Sequence, residues 1–401
     1  MALRKVLLLT YHFPPSGAVA VYRMLGLVRY LPQFGWQPVV VAPPRVPWEP
    51  IDASLLDQVP AQTPVVRVPF MDGIAGRVVG RIAPEAHWIV KARTACNQMI
   101  AEHRPDAVIT SSPPGIVHML GRWVQKRHGL YWVACFRDPW ITNRLDTSGL
   151  SARIDRQLER SVMRHADQIV ANTPLNREGW CKAYPEYAAK MHVITNGFDP
   201  EKFTSITVPP PGDRLMILHA GELYSGRDPR PFLDAFAQLQ VERVPVDCTF
   251  LGRKTDSMYD LSAEITRRGL DSTVHRPGQV PYAESLQKMM SADILVLFQN
   301  PGYRFGIQAK LFEYLGTGRP ILAISELDSD IAWVLRESKV LHRVVAPTDV
   351  AGIRQAILEL VTEVRTGNDS RSDKSAVLQF TRERMAQRFA ECLDRSPPVS
   401  Q

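Results

Sequence analysis

The sequence predicts an α/β protein built from two doubly wound, Rossmann-like domains with parallel sheets. Short runs of Val, Ile and Leu, including KVLLLT, PVVVAP, DAVITSS and YWVACF, alternate with longer segments of helical periodicity. This alternation is typical of parallel strands joined by crossover helices. The pattern restarts near residue 205 with RLMILHAG, VDCTFLG, TVHRPG, DILVLFQ and RPILAI. A chain of 401 residues is also too long for one ordinary core.

The domain limits follow from the same pattern. The stretch Pro209 to Pro211 is the predicted linker, because clustered prolines interrupt helices and strands. We therefore predict an amino-terminal domain over 1–204, a carboxyl-terminal domain over 205–375 and a final amphipathic helix over 376–401. Ligands of open parallel sheets collect beyond the carboxyl ends of the strands. The two domains are accordingly expected to face each other across a cleft that holds the chemistry.

Composition narrows the class of protein. Hydrophobic residues make up 45% of the chain and charged residues 22%, which is ordinary for a globular protein. The first apolar run is too short for an export signal, and no run approaches the length of a membrane-spanning helix. The 5 cysteines form no C-x-x-C pair and the 10 histidines no metal-binding cluster. These features predict a cytoplasmic protein without a protein-built zinc site.

Positive charge is concentrated in the first half of the chain. Residues 1–200 hold 23 Lys and Arg against 15 Asp and Glu, whereas residues 201–401 hold 25 against 26. Four of these arginines recur at helical spacing and two more lie in GIAGRVVGRIAP: Arg153, Arg156, Arg160, Arg164, Arg77 and Arg81. A solvated basic face and contact with an anionic membrane surface both explain this pattern. Nucleic acid is disfavoured because no aromatic residues interleave with the arginines.

Two strand-to-helix loops could hold phosphate. The first strand leads into YHFPPSGAVA, where Gly17 precedes a helix, and the second domain opens with HAGELYSGRDPRPF, which contains Gly221, Glu222 and Arg227. Helix amino termini favour anions, and an arginine fork can clamp a diphosphate. Neither loop has the G-x-G-x-x-G spacing of dinucleotide-binding proteins. A glycine used only for a tight turn and a surface arginine are the alternatives.

The segment GIQAKLFEYLGTGRPILAI carries two charges in an otherwise apolar helix. A 3.6-residue period places Leu311, Tyr314 and Leu315 toward the core, with Lys310 and Glu313 on the opposite side. An ionised carboxylate accepts both hydroxyls of a ribose diol, and an ammonium suits the attached phosphates. A carboxylate that favours the helix dipole, beside a solvated lysine, is the alternative.

The end of this helix is also predicted from its sequence. Gly316 and Gly318 are expected to terminate the helix, and Pro320 to begin the next strand.

Taken in order, YHFPPSG, RPDAVITSSPP, FRDPW, ADQIVANTPLN, VITNGFD, HAGELYSGRDPRPFL, SADILVLF and KLFEYLGTGRPILAI span nearly the whole chain. They resemble the GT-B glycosyltransferases of family 4, the group 1 family of retaining enzymes that use nucleotide sugars. The resemblance is closest to the branch that makes surface polysaccharides, O-antigens and lipid-linked glycans. It implies a GT-B fold with an amino-terminal acceptor domain, a carboxyl-terminal donor domain and a last helix that crosses back to the first domain.

The resemblance also assigns residues to the donor. Glu313 matches the second Glu of the family's E-x7-E motif and is expected to bind ribose. Arg227 and Lys310 match the diphosphate-binding positions, Gly17 the glycine loop that packs against the diphosphate, and Gln279 with Val280 the segment that reads the base. The full expected donor set is Gly17, Gly221, Glu222, Arg227, Gln279, Val280, Lys310, Leu311 and Glu313.

The sequence departs from the family pattern at two places. Phe305 stands where the first Glu of the motif is expected, so another group must contact the sugar hydroxyls. The nearby polar side chains that could do so are Asn300, Tyr303 and Gln308. In FRDPW, Arg137 and Asp138 stand where many members have His-Asp, which we interpret as a substitution.

The expected mechanism is front-face transfer with retention of configuration. Arg227 and Lys310 would stabilise charge on the leaving diphosphate without a metal or another cofactor. Asp138 is expected to position the acceptor or a sugar hydroxyl, and Arg137 to bind an anionic group nearby. His118, after another strand, is a candidate acceptor contact. The alternatives are a turn cap for Asp138 and a packed core histidine for His118.

The sequence thus predicts a hexosyltransferase-type enzyme that transfers a sugar from a nucleotide-diphosphate donor to a glycan or lipid-linked acceptor. Its expected location is the cytoplasm, with peripheral contact at the inner face of the cell membrane through the amino-terminal domain. A catalytically silent sugar-nucleotide or glycan-binding protein is the first alternative, because one motif carboxylate is missing. A nicotinamide-dependent oxidoreductase is the second, and the absent dinucleotide fingerprint counts against it.

Overall fold

The computed structural model describes residues 3–46, 49–70, 84–142, 148–204, 206, 210, 212–223, 226–253, 260–367 and 375–397. Arg77, Arg81, Pro209 and Pro211, which the sequence analysis singled out, lie outside the described residues. The chain forms two compact units. Unit 1 comprises 1–196 with 382–401, and unit 2 comprises 197–381. The boundaries predicted near 204 and 375 therefore both fall within unit 2.

Unit 1 alternates strands and helices along the chain. Its strands are β1 (Arg4–Thr10), β2 (Trp36–Ala42), β3 (Val65–Arg67), β4 (Ala107–Ser112), β5 (Tyr131–Phe136), β6 (Gln168–Ala171) and β7 (Met191–Val193). Its helices up to β7 are α1 (Val21–Tyr30), α2 (Pro84–His103), α3 (Val117–His128), α4 (Gly149–His165) and α5 (Pro174–Ala183). Short 3-10 helices span Leu31–Phe34, Ala53–Leu55 and Pro185–Lys190.

The unit 1 sheet is parallel, with the strand order β3-β2-β1-β4-β5-β6-β7. The order reverses direction between β1 and β4, which is the topological switch point of a doubly wound sheet. β1, β4 and β5 are almost entirely buried. Because helices cover both faces of such a sheet, its central strands are continuous apolar runs rather than alternating ones.

Unit 2 repeats this plan. Its strands are β8 (Leu215–Ala220), β9 (Val246–Leu251), β10 (Val274–Gly278), β11 (Ile294–Phe298), β12 (Ile321–Ile324) and β13 (His342–Val345). Its helices are α6 (Arg230–Val241), α7 (Leu261–Arg267), α8 (Tyr282–Ser291), α9 (Ala309–Thr317), α10 (Asp330–Ser338) and α11 (Val350–Arg365). Pro200–Lys202 and Val377–Phe380 are 3-10 helices.

The unit 2 sheet has the order β10-β9-β8-β11-β12-β13 and is also parallel. Its switch point lies between β8 and β11, where the chain order again reverses. The sequence prediction of two doubly wound parallel-sheet domains is confirmed. In each unit, the carboxyl ends of the strands beside the switch point are the expected place for a ligand.

The last helix, α12 (Arg382–Leu393), belongs to unit 1 although it follows unit 2 in sequence. Met385 and Phe389 are buried in the same apolar cluster as Leu25 of α1. Gly26 of α1 allows this approach, because a Cβ there would lie 3.0 Å from the Met385 Cε. The chain therefore passes between the two units twice.

Helix α9 confirms most of the prediction for its segment and corrects one part. Leu311, Tyr314 and Leu315 are 0–1% exposed, and Gly318 ends the helix with a left-handed φ of 67°. Gly316 was expected to help terminate the helix, but it lies inside α9. The reason is packing: a Cβ on Gly316 would lie 2.5 Å from Cε2 of Phe203.

We expect Gly316→Ala to destabilise unit 2, although alanine is the better helix former. The gain in helix propensity is about 1 kcal/mol, whereas forcing a methyl group into a filled core costs about 1–3 kcal/mol. Chemical denaturation should show a net loss of stability. The matched control is Gly212→Ala, because a Cβ at Gly212 would meet its nearest atom at 3.7 Å. A Gly316→Ala variant more stable than wild type would contradict this account.

Candidate functional site

The carboxyl ends of three adjacent strands in unit 2 meet through glycines. Gly221 follows β8, Gly252 follows β9, and Gly278 ends β10. The Gly221 N–H donates to Leu251 O at 2.6 Å, and the Gly252 N–H donates to Gly278 O at 3.1 Å. A Cβ on Gly252 would lie 2.6 Å from Gly221 O, so only glycine fits there. The strand ends thus form a surface of closely packed backbone without side chains.

Lys310 of α9 reaches this surface. A Cβ on Gly221 would lie 2.3 Å from the Lys310 Nζ, so the absence of a side chain at Gly221 makes room for the ammonium. The Nζ lies 3.4 Å from His219 Nε2. Tyr314, one turn later, also reaches β8, where its hydroxyl accepts the Ala220 N–H at 2.9 Å. The sequence predicted that Lys310 lies opposite the buried face of α9. In the structure, Lys310 lies one turn before Tyr314, and both side chains are directed to β8.

The surroundings of Lys310 favour loss of its proton. Burial and, to a smaller extent, the nearby positive charge of Arg227 lower the pKa of Lys310 to about 7. The charges of Glu313 and Glu222 oppose this effect. Glu222 is itself paired with Arg253, with 3.1 Å between Oε1 and Nε. None of the described carboxylates lies within ion-pair distance of Lys310 Nζ, so an incoming anion would be a strong partner for this cation.

Glu313 lies one turn along α9 and is half-buried. Its Oε1 accepts a hydrogen bond from the Tyr282 hydroxyl at 2.9 Å. Tyr282 begins α8, just after the exposed Gln279 and the half-buried Val280. Through Tyr282, the residue predicted to bind the ribose therefore lies near the segment predicted to read the base. Sequence reasoning missed Tyr282. Its only signal was its position three residues after Gln279.

Leu311 was predicted to contact the donor. Its side chain is fully buried in the core of unit 2, and its backbone N–H donates to Gln308 O at 3.0 Å. The side chain anchors α9 to the core, because a fully buried leucine contributes through packing. A donor contact of Leu311 remains a prediction.

The three polar side chains proposed to replace the missing carboxylate have different environments. Gln308 Nε2 donates to Phe298 O at 2.7 Å, and its Oε1 is buried without a hydrogen-bond partner among the described residues. Asn300 lies against the loop that precedes α6, since a Cβ on Gly226 would be 3.2 Å from its Nδ2. Tyr303 is 40% exposed, and its ring lies 6.4 Å from that of Phe305. Asn300 is thus beside the residue that precedes Arg227.

In unit 1, the Gly17 loop is closed by a neighbouring segment. The Gly17 N–H donates to Pro50 O at 2.7 Å, and Ser16 forms an antiparallel bridge with Ile51. A Cβ on Gly17 would lie 3.3 Å from Asp52 Cβ. Close packing against Asp52 therefore explains a glycine at this position, and the Gly17 N–H already donates a hydrogen bond within the protein. The predicted contact of Gly17 with a diphosphate remains a prediction.

Arg137 and Asp138 follow β5 directly. Asp138 is exposed, whereas Arg137 is half-buried and its Nε has no hydrogen-bond partner among the described residues. The Arg137 N–H donates to Ser112 O at 3.4 Å, and Ser112 Oγ is also buried without a described partner. Burial lowers the pKa of Arg137, and Arg23 contributes in the same direction. The ends of β4 and β5 thus hold a poorly satisfied cation and hydroxyl.

A histidine-carboxylate contact that the sequence did not reveal lies after β1. His12 Nδ1 is 2.7 Å from Glu49 Oε1, and the Ser16 hydroxyl donates to the same carboxylate. Burial lowers the pKa of His12, and Arg137 adds to the lowering, while Glu49 raises it. Glu49 lies far from His12 in sequence and has no recognisable motif, so only the fold brings the two together.

His118 is a core residue rather than a surface one. Its side chain is 0% exposed, its Nδ1 lies 2.7 Å from Thr110 Oγ1, and its ring is 4.1 Å from that of Phe136. Burial lowers the pKa of His118 to about 3, so its ring is neutral. The structure corresponds to the packed alternative, because a fully buried ring is not exposed to an acceptor.

Helix α4 has two different faces. The arginines predicted to share one face are all exposed: Arg153, Arg156, Arg160 and Arg164. The buried face carries carboxylates that fix the segment after Asp138. Glu159 accepts the Ile141 N–H at 3.0 Å and the Tyr184 hydroxyl at 3.1 Å, and Asp155 accepts the Trp140 Nε1–H at 3.1 Å. Sequence reasoning noticed the arginines and missed these acidic anchors.

Metal-binding clusters and membrane-spanning helices are both absent from the described residues. These residues contain no group of three or more His, Cys, Asp or Glu side chains arranged to hold a metal ion. Among the described helices, none combines the length and hydropathy needed to cross a bilayer.

We expect Lys310→Met to stabilise the ligand-free protein, because it removes a cation from a desolvated position. The melting temperature at pH 6 should rise by about 2–4 °C, the effect of roughly 1 kcal/mol in a domain of this size. The folded protein loses the Lys310 proton near pH 7, whereas an unfolded lysine keeps it to about pH 10.4. The unfolded state therefore binds more protons in that window, wild-type stability rises with pH, and the advantage of the variant should shrink above pH 7.

Thermal melts from pH 6 to pH 9 measure both effects. Lys182→Met is the control, because the Lys182 side chain is 75% exposed. Equal melting temperatures for Lys310→Met and wild type across the range would show that the ammonium is not strained by its surroundings.

Two family models match this chain. Residues 17–197 match the "Glycosyl transferase 4-like domain", and residues 214–363 match "Glycosyl transferases group 1". The matches fall in unit 1 and unit 2 in turn and span more than four fifths of the chain. No curated protein sequence matches it significantly.

Solved structures resemble the chain over its whole length. A glycosyltransferase from Rickettsia africae superposes with a TM-score of 0.71 at 13% identity, covering 100% of both chains. HepE from Anabaena, solved with UDP and glucose, superposes with a TM-score of 0.69 at 18% identity, covering 98% of this chain and 100% of its own. The lipopolysaccharide outer core galactosyltransferase WaaB gives 0.65 at 14% identity, with 98% of each chain covered. At these identities the likeness establishes the fold.

Fold and family models together define the class of protein as a GT-B glycosyltransferase, an enzyme that transfers a sugar from a donor. Within that class, the chain belongs to the group 1 family, and its amino-terminal half matches the glycosyltransferase 4-like domain.

Proposed function

We propose that the protein is a retaining glycosyltransferase that takes a sugar from a nucleoside-diphosphate donor. The acceptor would be a glycan or lipid-linked molecule in cell-surface polysaccharide or glycoconjugate synthesis. The observation that carries the donor half is the group at the glycine surface of unit 2. There Lys310, with Arg227 nearby, supplies positive charge, and Glu313 with Tyr282 supplies polar groups one turn away.

This group suits a nucleoside diphosphate by its chemistry. A diphosphate needs cations and room for backbone approach, which Lys310, Arg227 and Gly221 offer together. A ribose diol needs an acceptor such as the Glu313 carboxylate. The Anabaena neighbour was solved with UDP and glucose, and WaaB acts in the lipopolysaccharide outer core. These relatives support a nucleotide sugar as donor and a surface glycan as the destination.

The proposed reaction breaks the bond between the anomeric carbon and the diphosphate oxygen. A new bond to the acceptor hydroxyl forms on the same face, and the hydroxyl proton moves to the leaving diphosphate. Arg227 and Lys310 would stabilise the charge that develops on that diphosphate, which is the main contribution the protein can make. Asp138 would orient the acceptor or a sugar hydroxyl, and Arg137 would bind an anionic group.

Substitutions of two donor-site residues should affect kcat and the donor KM differently. We expect Arg227→Gln to lower kcat by about 100-fold or more, because it removes charge that acts on the leaving group. Glu313→Gln should mainly raise the donor KM, by roughly tenfold or more, because it weakens a charged hydrogen bond. Release of nucleoside diphosphate measures both. Glu337→Gln is the control, since Glu337 is an exposed carboxylate on α10.

A thermal-shift panel of UDP, GDP, ADP and their sugars identifies the donor for this assay. Tight binding of one sugar nucleotide without any release of the diphosphate would favour the silent binding protein. Stabilisation by a nicotinamide dinucleotide alone would contradict the proposal.

We further propose that unit 1 docks on an anionic membrane surface through α4. In addition to its exposed arginines, α4 carries Leu150 and Ile154, which are 74% and 52% exposed. Leu150 lies in the first turn, and Ile154 lies one turn later. Apolar side chains beside a row of cations are the combination that binds the headgroup boundary of anionic lipids. A lipid-linked acceptor would be reached from such a position.

Vesicle sedimentation tests this contact. We expect the protein to bind phosphatidylglycerol-containing vesicles at low salt, to bind less at high salt, and to ignore pure phosphatidylcholine. Replacing Arg153, Arg156, Arg160 and Arg164 by Gln should abolish binding, since each cation near such a surface contributes about 1 kcal/mol. The control replaces the exposed Lys126 and Arg127 of α3. Protein that stays in solution with anionic vesicles at low salt would refute the contact.

A further inference from the structure

His219 is a polar residue in an apolar layer of unit 2. It is the fifth residue of β8 and is 0% exposed. Its ring lies 5.1 Å from that of Phe298 and 6.0 Å from that of Phe250, both of which belong to the core. A buried imidazole in such a layer requires hydrogen-bond partners. The residue is not among those that the sequence analysis selected.

The partners of His219 fix its tautomer. Nδ1 lies 3.0 Å from Val296 O, and a carbonyl oxygen only accepts, so Nδ1 carries the proton. Nε2 then presents a lone pair, and the atom opposite it is Lys310 Nζ at 3.4 Å. Burial lowers the pKa of His219 well below its ordinary value, and the charges of Lys310 and Arg227 act in the same direction. The ring is therefore a neutral acceptor aimed at the ammonium.

We propose that His219 is a positioning residue that acts through Lys310: the neutral imidazole accepts a hydrogen bond from the ammonium and holds it beside Gly221, where a donor diphosphate would bind. The inference rests on the proposed function, because it gives Lys310 its task. It goes further in assigning a role to a residue that would touch neither the donor nor the acceptor.

A neutral acceptor is the group best suited to this position. A carboxylate in place of His219 would pair with the ammonium and cancel the charge that an anion needs. An apolar side chain would leave the flexible lysine stem untethered and its donors unsatisfied in a desolvated place. The other charges that act on Lys310 are those of Arg227, Glu222 and Glu313, and the carboxylate of Glu222 is already paired with Arg253. His219 orients the cation and leaves its charge available.

Two substitutions separate this role from packing. His219→Phe keeps an aromatic ring but removes the acceptor, whereas His219→Gln keeps an acceptor that can reach Lys310. The NMR resonance of the Lys310 ¹³Cε, assigned through its absence in Lys310→Met, reports protonation of the ammonium without any ligand. We expect its titration midpoint to fall by about half a pH unit or more in His219→Phe, because the charged form loses a hydrogen bond. His219→Gln should restore most of the difference.

The second readout is the pH dependence of binding by UDP, GDP and ADP. Affinity should be highest below the Lys310 midpoint and should fall as the pH rises above it, up to tenfold per unit. A midpoint lowered by half a unit corresponds to a loss of about threefold in affinity at pH 7.5 in His219→Phe. The donor KM should rise more than kcat falls.

The outcomes test the role of His219 and the proposed function separately. An unchanged Lys310 midpoint in His219→Phe, with only a lower melting temperature, would show that His219 is a packing residue and would overturn the inference. Failure of wild-type protein to bind any of the three nucleotides would instead contradict the proposed function, while the NMR titration would still decide the role of His219.

Discussion

The desolvated ammonium of Lys310 is the constraint on which the unit 2 site depends. Removing a cation from water is unfavourable unless charge or hydrogen bonds replace the lost hydration. Here the described partners are a neutral imidazole and the more distant charges of Glu313 and Glu222. This compensation is partial, as the lowered pKa shows. An anion at the glycine surface would complete this compensation and would gain affinity from the unsatisfied charge.

The backbone around this cation is arranged to admit it. Gly221 has a φ of 125° and no side chain, which leaves space for the Lys310 Nζ beside its Cα. Gly252 in turn must be glycine to pass the Gly221 carbonyl. Strand ends in parallel sheets present backbone groups to ligands, and the glycines remove the side chains that would cover those groups. The glycines after β8 and β9 are therefore both explained by close approach, whereas Gly278 at the end of β10 has open space around it and is favoured by its φ of 96°.

Much of the fold could be predicted from the sequence, because buried parallel strands are unmistakable apolar runs. The helix over Leu311 to Leu315 and its end at Gly318 followed from periodicity and cap chemistry. The position of Gly316 could not, since it depends on Phe203, which is distant in sequence. The same applies to His12 with Glu49 and to Glu159 with Tyr184.

Candidate site residues could be selected from the sequence where the chemistry follows a motif, and not where it depends on tertiary contact. Glu313 and Lys310 could be selected because charged residues in an apolar helix require an explanation. In sequence, Tyr282 resembles an ordinary helix residue and His219 an ordinary strand residue. Only the fold shows that Tyr282 contacts Glu313 and that His219 contacts Lys310. His118 shows the same dependence on tertiary contact. The sequence left an acceptor contact and a packed core position both open, and α3 buries the His118 ring against Phe136.

The two units each hold a cation near the switch point of a parallel sheet, but the two cations differ in kind. Arg137 retains its proton at any ordinary pH, even though burial lowers its pKa. Lys310 loses its proton near neutrality. Anion recognition by Arg137 would therefore be insensitive to pH, whereas recognition by Lys310 would weaken above pH 7. Because a guanidinium cannot be switched off in this way, a fall in donor affinity above pH 7 would report the buried ammonium of Lys310 rather than Arg137.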